Sequence, residues 1–305
     1  AHAPLTVEER DSVLVVSGNR FSVTFDVRNG ELRSYRYNGR ELIREPLRPN
    51  FWRAPNDNDF GGDWQNKLSV WKSAGDRWEF RYVQVERPSS DEVRVTVSGL
   101  VRPVSATYTS VYTVRASGEV AVENHFVPGR EDLPRMPRFG MRMTMPAGFD
   151  RIVWFGRGPH ESYWDRQAGA RVGRYEGTVA AQFHPYVRPQ ETGNKTDVRW
   201  MALLDREGTG LLFVGAPLLS ASALHFAMED LDPGPEKLPV HAGDLTPRPE
   251  TYLHVDYRQM GVGGTNSWGT TALMQYSLPY QEYRYQFRFR GIDRRDGDPG
   301  RVARQ

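Results

Sequence analysis

Apolar and polar residues alternate with a period of two through much of the chain. Phe21-Ser22-Val23-Thr24-Phe25-Asp26-Val27 is one such run. In a strand that spacing puts the apolar side chains on one face and the polar ones on the other. Residues 93–97, part of 108–114 and residues 138–145 repeat the pattern. It is clearest near the end, where Tyr283, Tyr285, Phe287 and Phe289 share one face and Arg284, Gln286, Arg288 and Arg290 the other. Asn29-Gly30, Asn38-Gly39 and Ser117-Gly118 fall between strand-like runs, where hairpin turns need them. One helix is predicted, over about 63–74: Trp64, Leu68 and Trp71 stand at helical spacing and Gly75 is a stop signal. Strands do not alternate with helices, so a parallel sheet is excluded.

The pattern predicts an all-β fold, a large two-sheet antiparallel β-sandwich with one packed and one wetter face per sheet. A single domain is expected over 1–292. Residues 232–249, rich in Pro and Gly, read as a long surface loop within it. Residues 293–305 are charged and lack apolar periodicity; they are expected as a disordered or loosely attached tail. No internal repeat is visible.

Composition narrows the function classes. The 305 residues are ample for a sizeable core. Aromatic residues make up 12%, so large rings must fill much of it. Net charge is +2, which gives no electrostatic case for nucleic acid. Only Lys67, Lys72, Lys195 and Lys237 are lysines among the 40 basic residues, a bias read as genomic composition. There is no cysteine, hence no disulfide framework and no thiolate metal site. No run approaches the roughly 20 apolar residues of a membrane span, and no signal peptide is visible. The cytoplasm is the expected compartment. The chain opens on Ala1-His2-Ala3-Pro4 without Met, as an excised domain or a processed subunit would.

Searches for catalytic machinery return little. The seven histidines are scattered. His160-Glu161 opens like a zinc-protease helix, but Trp164 stands where the second His belongs. A calcium loop counted from Asp57 meets Gly61 at position five and Leu68 at position twelve. Gly261-Val262-Gly263-Gly264 begins like a dinucleotide fingerprint, yet position six is Asn266. No metal ligand set and no catalytic pair is assigned. Glycoside hydrolysis needs two carboxylates across the scissile bond. Asp57 and Asp59 are too close in sequence for that if extended. Asn56 and Asn58 beside them favour a hydrogen-bonded turn, with a substrate-side role as the alternative. Glu161 and Glu191 are single carboxylates in turn-rich stretches, fitted to structural or rim roles.

Four stretches stand out: Phe51-Trp52-Arg53-Ala54-Pro55-Asn56-Asp57-Asn58-Asp59 with Phe60-Gly61-Gly62-Asp63-Trp64; residues 154–166; Pro185-Tyr186-Val187-Arg188-Pro189-Gln190-Glu191-Thr192-Gly193; and Gly261-Val262-Gly263-Gly264-Thr265-Asn266-Ser267-Trp268. The last ends glycine-rich backbone on an indole. Such a ring is either a flat platform for the C–H face of a sugar or a plug in the core, the commoner fate of Trp. In this order and at these distances the four stretches resemble the C-terminal, small-chain domain of bacterial β-galactosidases of glycoside hydrolase family 2. The resemblance runs from about residue 21 to 290.

It implies a galactose mutarotase-like supersandwich that closes one side of a galactoside-hydrolysing pocket. The family's catalytic glutamates lie on a TIM barrel that this chain lacks, so it is expected to be inactive alone. Trp268 matches an aromatic platform on the leaving-group side. Asn266, Asp57 and Asp59 are the further substrate-side candidates, and Gly61 and Gly62 begin a mobile loop at the pocket edge. The parent enzymes commonly use Mg and Na; no cofactor is expected in this chain. The implied partners are the catalytic barrel domain or large subunit and a galactoside such as lactose, or its leaving-group sugar, with no nucleic acid and no membrane. A homo-oligomer is the further partner reading, through the surface the barrel would cover. The competing readings are a stand-alone aldose 1-epimerase-like enzyme, with His125 as acid and Glu282 or Glu250 as base, and a carbohydrate-binding module.

Overall fold

The computed structural model describes residues 3–266 and 268–305. Its strands are β1 (Thr6–Arg10), β2 (Val13–Ser17), β3 (Phe21–Asp26), β4 (Glu31–Tyr37), β5 (Arg40–Glu41), β6 (Glu45–Asn50), β7 (Trp78–Ser89), β8 (Glu92–Val101), β9 (Ala106–Arg115), β10 (Val120–Val127), β11 (Arg138–Met145), β12 (Arg151–Gly158), β13 (Arg171–Thr178), β14 (Lys195–Leu204), β15 (Gly210–Leu224), β16 (Thr251–Gln259) and β17 (Tyr283–Ile292). The pairings between these strands are antiparallel.

The expected all-β antiparallel architecture is present, and its two layers are joined into one curled sheet. One arm runs β1-β2-β3-β4-β6-β11-β16, the other β7-β8-β9-β10-β17. Both meet on β15. Residues Gly210 to Ala216 of that strand pair with β17, and Ser220 to Leu224 pair with β16. On its other edge β15 carries β14, followed by β12 and β13.

The inward faces of the two arms meet in an aromatic core. Phe25 of β3 meets Tyr112 of β9 edge-on, centroids 5.4 Å apart, and Tyr35 of β4 lies 5.7 Å from Phe289 of β17. The alternation along β17 is the one the sequence predicts: Tyr283, Tyr285, Phe287 and Phe289 are buried. Asn38 and Gly39 both have positive φ, 49° and 79°, as a two-residue turn matching strand twist requires. No helix among the described residues is long and apolar enough to cross a membrane.

Two expectations are corrected. The helix over 63–74 is broken into α2 (Trp64–Lys67) and a 3-10 turn at Ser69–Trp71, and a separate short helix, α1 (Asp57–Gly61), precedes it. Asp63 sits at φ 59°, a left-handed conformation that no helix continues through. Helical spacing was still the right cue for burial, since Leu68 and Trp71 are in the core. The second correction concerns residues 293–305, which are packed rather than loose. Asp293 accepts from Arg20 and Arg295. Asp298 caps α3 (Pro299–Val302), whose Val302, with Ala303, is buried against Val153, Trp200, Leu212 and Ile292. Two apolar residues make no readable period, and the ion pair to Arg20 is distant in sequence. Residues 232–249 form the expected irregular surface segment.

Candidate functional site

The short helix α1 opens the site. Asn56 caps it: its side chain accepts from the Asp59 N–H at 2.8 Å, and Asp59 accepts from the Asn56 N–H at 3.0 Å. This reciprocal pair satisfies two helix-end donors. Arg53 Nη2 stands 3.1 Å from both Asp59 oxygens. Arg53 is almost fully buried and also donates to the carbonyls of Met260 and Gly261. Asp59 therefore holds the loop together, and its buried carboxylate is already engaged on both oxygens. This is the hydrogen-bonded-turn role expected for the Asn56–Asp59 run. Asp57 points elsewhere, because residues two apart on a helix do not share a face. It is exposed and accepts from Gln190 at 3.0 Å.

The same segment carries the glycine-rich loop. Asn56 donates to the Val262 carbonyl at 3.2 Å, and Asn58 to that of Thr270 at 2.9 Å. Trp64 Nε1 donates to the Gly269 carbonyl at 3.0 Å. Asp165 clamps the loop's start, its two oxygens accepting from Val262 N–H (3.0 Å) and Gly263 N–H (2.8 Å). Asn266 accepts from the Trp268 N–H at 2.9 Å. Gly269, at φ 89°, presses against the Gly61-Gly62 backbone so closely that a Cβ there would lie 1.9 Å from Gly62 N. Only glycine fits that conformation and approach.

Trp268 stands on this scaffold 84% exposed. The core-plug alternative is thereby removed. Leu273 and Met274, further along the same loop, are also exposed. The structure thus brings Trp268, Asn266, Gly61 and Gly62 together, with Asp57 nearby on α1 and Asp59 beneath. Sequence reasoning missed Arg53, Trp64 and Asp165 as the residues that hold the platform. All three lie inside the quoted motifs, but their partners are about 100 to 200 residues away and no local pattern announces them.

Behind the loop lies a buried charge cluster. Arg138, with no exposed surface, reaches Glu191 Oε1 and Asp256 Oδ2, each at 3.0 Å. Burial pushes the Asp256 carboxyl up to about 8; the Glu191 charge adds to this while Arg138 opposes it. Burial, with Arg138 and Arg142 close by, holds the His254 imidazole well below its ordinary value. Gln259 donates to Glu191 at 3.2 Å and ties the cluster to the end of β16. Glu161 is likewise engaged, by Arg166, Tyr186 and the Gly193 N–H. These carboxylates are internal ties, with no open pair flanking a space for a sugar.

His125 and Glu282 do meet, at 2.7 Å, on an outer strand face where Glu282 is exposed and also faces Arg284. Glu250 contributes only its backbone carbonyl, which pairs with the His225 ring. As for Mg or Na, no group of three or more His, Asp or Glu converges among the described residues, and the run at Asp57–Asp59 is committed to Gln190, Arg53 and Asn56. That acidic run does not fit an ion site.

A family model described as beta galactosidase small chain matches residues 17–289. The β-galactosidase of Priestia megaterium is 38% identical over 278 residues, covering 91% of this chain and 26% of that protein. That of Lactobacillus delbrueckii subsp. bulgaricus is 34% identical over 278 residues, covering 90% and 27%. The chain therefore spans about a quarter of the length of these relatives. Among solved structures, the galactosidase domain of an α-galactosidase–sucrose kinase superposes with a TM-score of 0.51 at 7% identity, covering 94% of this chain and 42% of that one, a likeness of fold alone. The galactose 1-epimerase of Lactobacillus acidophilus NCFM gives a TM-score of 0.47 at 12% identity, covering 95% and 98%.

Proposed function

The chain belongs to the β-galactosidase small-chain family, and from that premise we propose that it completes one side of a galactoside-hydrolysing pocket whose catalytic carboxylates lie on a separate barrel. The observation that carries this reading is Trp268. A large indole is held almost wholly in solvent by a backbone cage of distant partners. Exposing an aromatic ring forgoes the stabilisation of burying it, about 2–3 kcal/mol. A loop tied by these hydrogen bonds presents the ring.

In this role the indole face meets the C–H side of the sugar on the leaving-group side, excludes water there and orients that sugar. Asn266 fixes the backbone on which the ring stands, and Gly61 and Gly62 supply the close backbone contact at the pocket edge. The bond-breaking chemistry is the barrel's. The partner is the barrel portion of the same enzyme, and the substrate class is β-galactosides such as lactose. Mg and Na belong to the partner portion in this reading.

The test is complementation. The purified chain is added to a separately produced barrel portion of a family β-galactosidase, and hydrolysis of an aryl β-galactoside is followed. The chain alone is expected to be inactive and the mixture active. Trp268→Ala is expected to weaken acceptor or lactose binding by about 1–3 kcal/mol. Hydrolysis by the chain alone, abolished by replacing one of its own acidic residues, refutes the proposal.

A further inference from the structure

A second cleft shares no lining residue with the Trp268 loop. Trp164, Gln167, Thr196, Asp197, Leu218 and Arg258 line it, around a cavity of about 240 Å³. Pockets for drug-sized ligands start at about 300 Å³, so this one takes a single ring-sized molecule.

Its origin is a double interruption of the sheet. The register of β14 against β15 shifts between Lys195 and Val198 and again between Val198 and Trp200. On the facing strand, the stretch 215–218 doubles back. A Cβ on Gly215 would lie 3.0 Å from both the Leu218 backbone and the Val198 carbonyl. The paired strands splay between these points. Bulges of this kind re-aim side chains and gather beside binding sites.

Asp197 sits at the bulge with φ 52°. Non-glycine residues are uncommon there, and Asp is one of the types that tolerates it. One Asp197 oxygen accepts from Arg157 Nε at 2.6 Å, leaving Oδ1 for another donor. Gln167 Nε2 donates to Thr196 at 3.1 Å, and its side-chain Oε1 accepts from no described residue. Arg258 has no ion pair and no hydrogen bond among the described residues. Its guanidinium lies over the Trp164 ring, 4.4 Å from the centroid, and 5.1 Å from that of Tyr257. The cleft therefore offers an apolar wall (Leu218, Leu219) beside two acceptors and a fork of donors that is stacked on Trp164 but has no hydrogen-bond partner among the described residues. A ligand with one C–H face and hydroxyls around its rim matches that set.

We propose that this cleft is a binding site for one neutral hexopyranose, separate from the Trp268 platform and independent of any barrel. Asp197 Oδ1 and Gln167 Oε1 accept from sugar hydroxyls, and Arg258 donates to them. The proposal does not rest on the β-galactosidase reading, because the cleft is complete within this chain.

The experiment titrates D-galactose, and in parallel D-glucose and inorganic phosphate, into the purified chain, with binding read by calorimetry and by ligand-observed NMR. Saturable hexose binding is expected. Arg258→Met keeps the aliphatic stem and removes the donors; Asp197→Asn keeps a residue type that tolerates positive φ. Each is expected to weaken binding about tenfold, the scale of one hydrogen bond to a charged group. Val187→Ala, at an exposed position outside the cleft lining, is expected to leave it unchanged. Far-UV and near-UV circular dichroism shows whether each variant keeps its fold. The proposal is overturned if no hexose saturates, if phosphate binds and hexose does not, if folded Arg258→Met and Asp197→Asn bind as the parent does, or if Trp268→Ala alone abolishes binding.

Discussion

Replacing Trp268 with alanine separates a presented ring from a structural one without any assay of activity. A tryptophan buries at most about 250 Å². With 84% of this residue exposed, truncation forfeits roughly 40 Å², worth about 1 kcal/mol at about 25 cal/mol per Å². For a chain of this size that lowers the melting temperature by about 2 °C. Trp71 is the internal control. It has no exposed surface and packs against Phe51 and Phe126. Trp71→Ala is expected to cost about 3–5 kcal/mol, or about 6–10 °C. Thermal unfolding of both variants, followed by near-UV circular dichroism, makes the comparison. The assembled enzyme should show the reverse order: Trp268→Ala weakens binding of the leaving-group sugar by about 5- to 150-fold, the equivalent of about 1–3 kcal/mol. A Trp268→Ala chain that melts as early as Trp71→Ala refutes the reasoning, because the indole would then be holding the fold.

Three further outcomes follow from the cage and the buried charges. Asp59→Asn strands the buried Arg53 guanidinium and is expected to cost about 3 kcal/mol in urea unfolding; adding Arg53→Met should restore part of the loss, and strict additivity of the two would contradict the pairing. Gly269→Ala forces a side chain into φ 89° against the Gly62 backbone and should cost about 1–3 kcal/mol, with faster proteolysis within 261–276; an unchanged cleavage rate would show that the two loops do not bear on each other. Burial pushes the Lys195 ammonium down to about 8, so between pH 8 and its ordinary value the unfolded chain binds a proton that the native chain has shed, and stability rises with pH. Lys195→Met should be more stable than the parent at pH 7, with the gap narrowing by about 2 kcal/mol by pH 9.5; a constant gap would place the lysine in solvent.

The strands were legible because period-two alternation is local. β17 shows it residue by residue, and the Asn38-Gly39 turn needs only two residues to declare itself. β11 is harder, since nearly all of it is buried, including Arg138, whose partners Glu191 and Asp256 come from remote segments. That β15 bends and serves both arms depends on what pairs with each half, which no window of sequence contains. At the site, glycine spacing marked the loop and its indole. It did not reveal that Asp59 is turned inward, because burial of a carboxylate depends on an arginine whose own neighbours are the carbonyls of Met260 and Gly261. Packing of the tail was illegible for the same reason: Val302 alone has no period.

The pairing of β10 with β17 has a consequence for how the polypeptide is made. β7 to β10 are complete within the first 127 residues, yet β10 finds its outer neighbour only in residues 283–292. While the ribosome adds the intervening segment, at about 5–20 residues per second, the nascent β9–β10 hairpin displays an unpaired edge with Val120, Val122 and Phe126 on its inner face. An open apolar edge is a template for the wrong strand. Efficient production should therefore depend on slow, cool synthesis or on a chaperone that shields this edge until the last strand emerges.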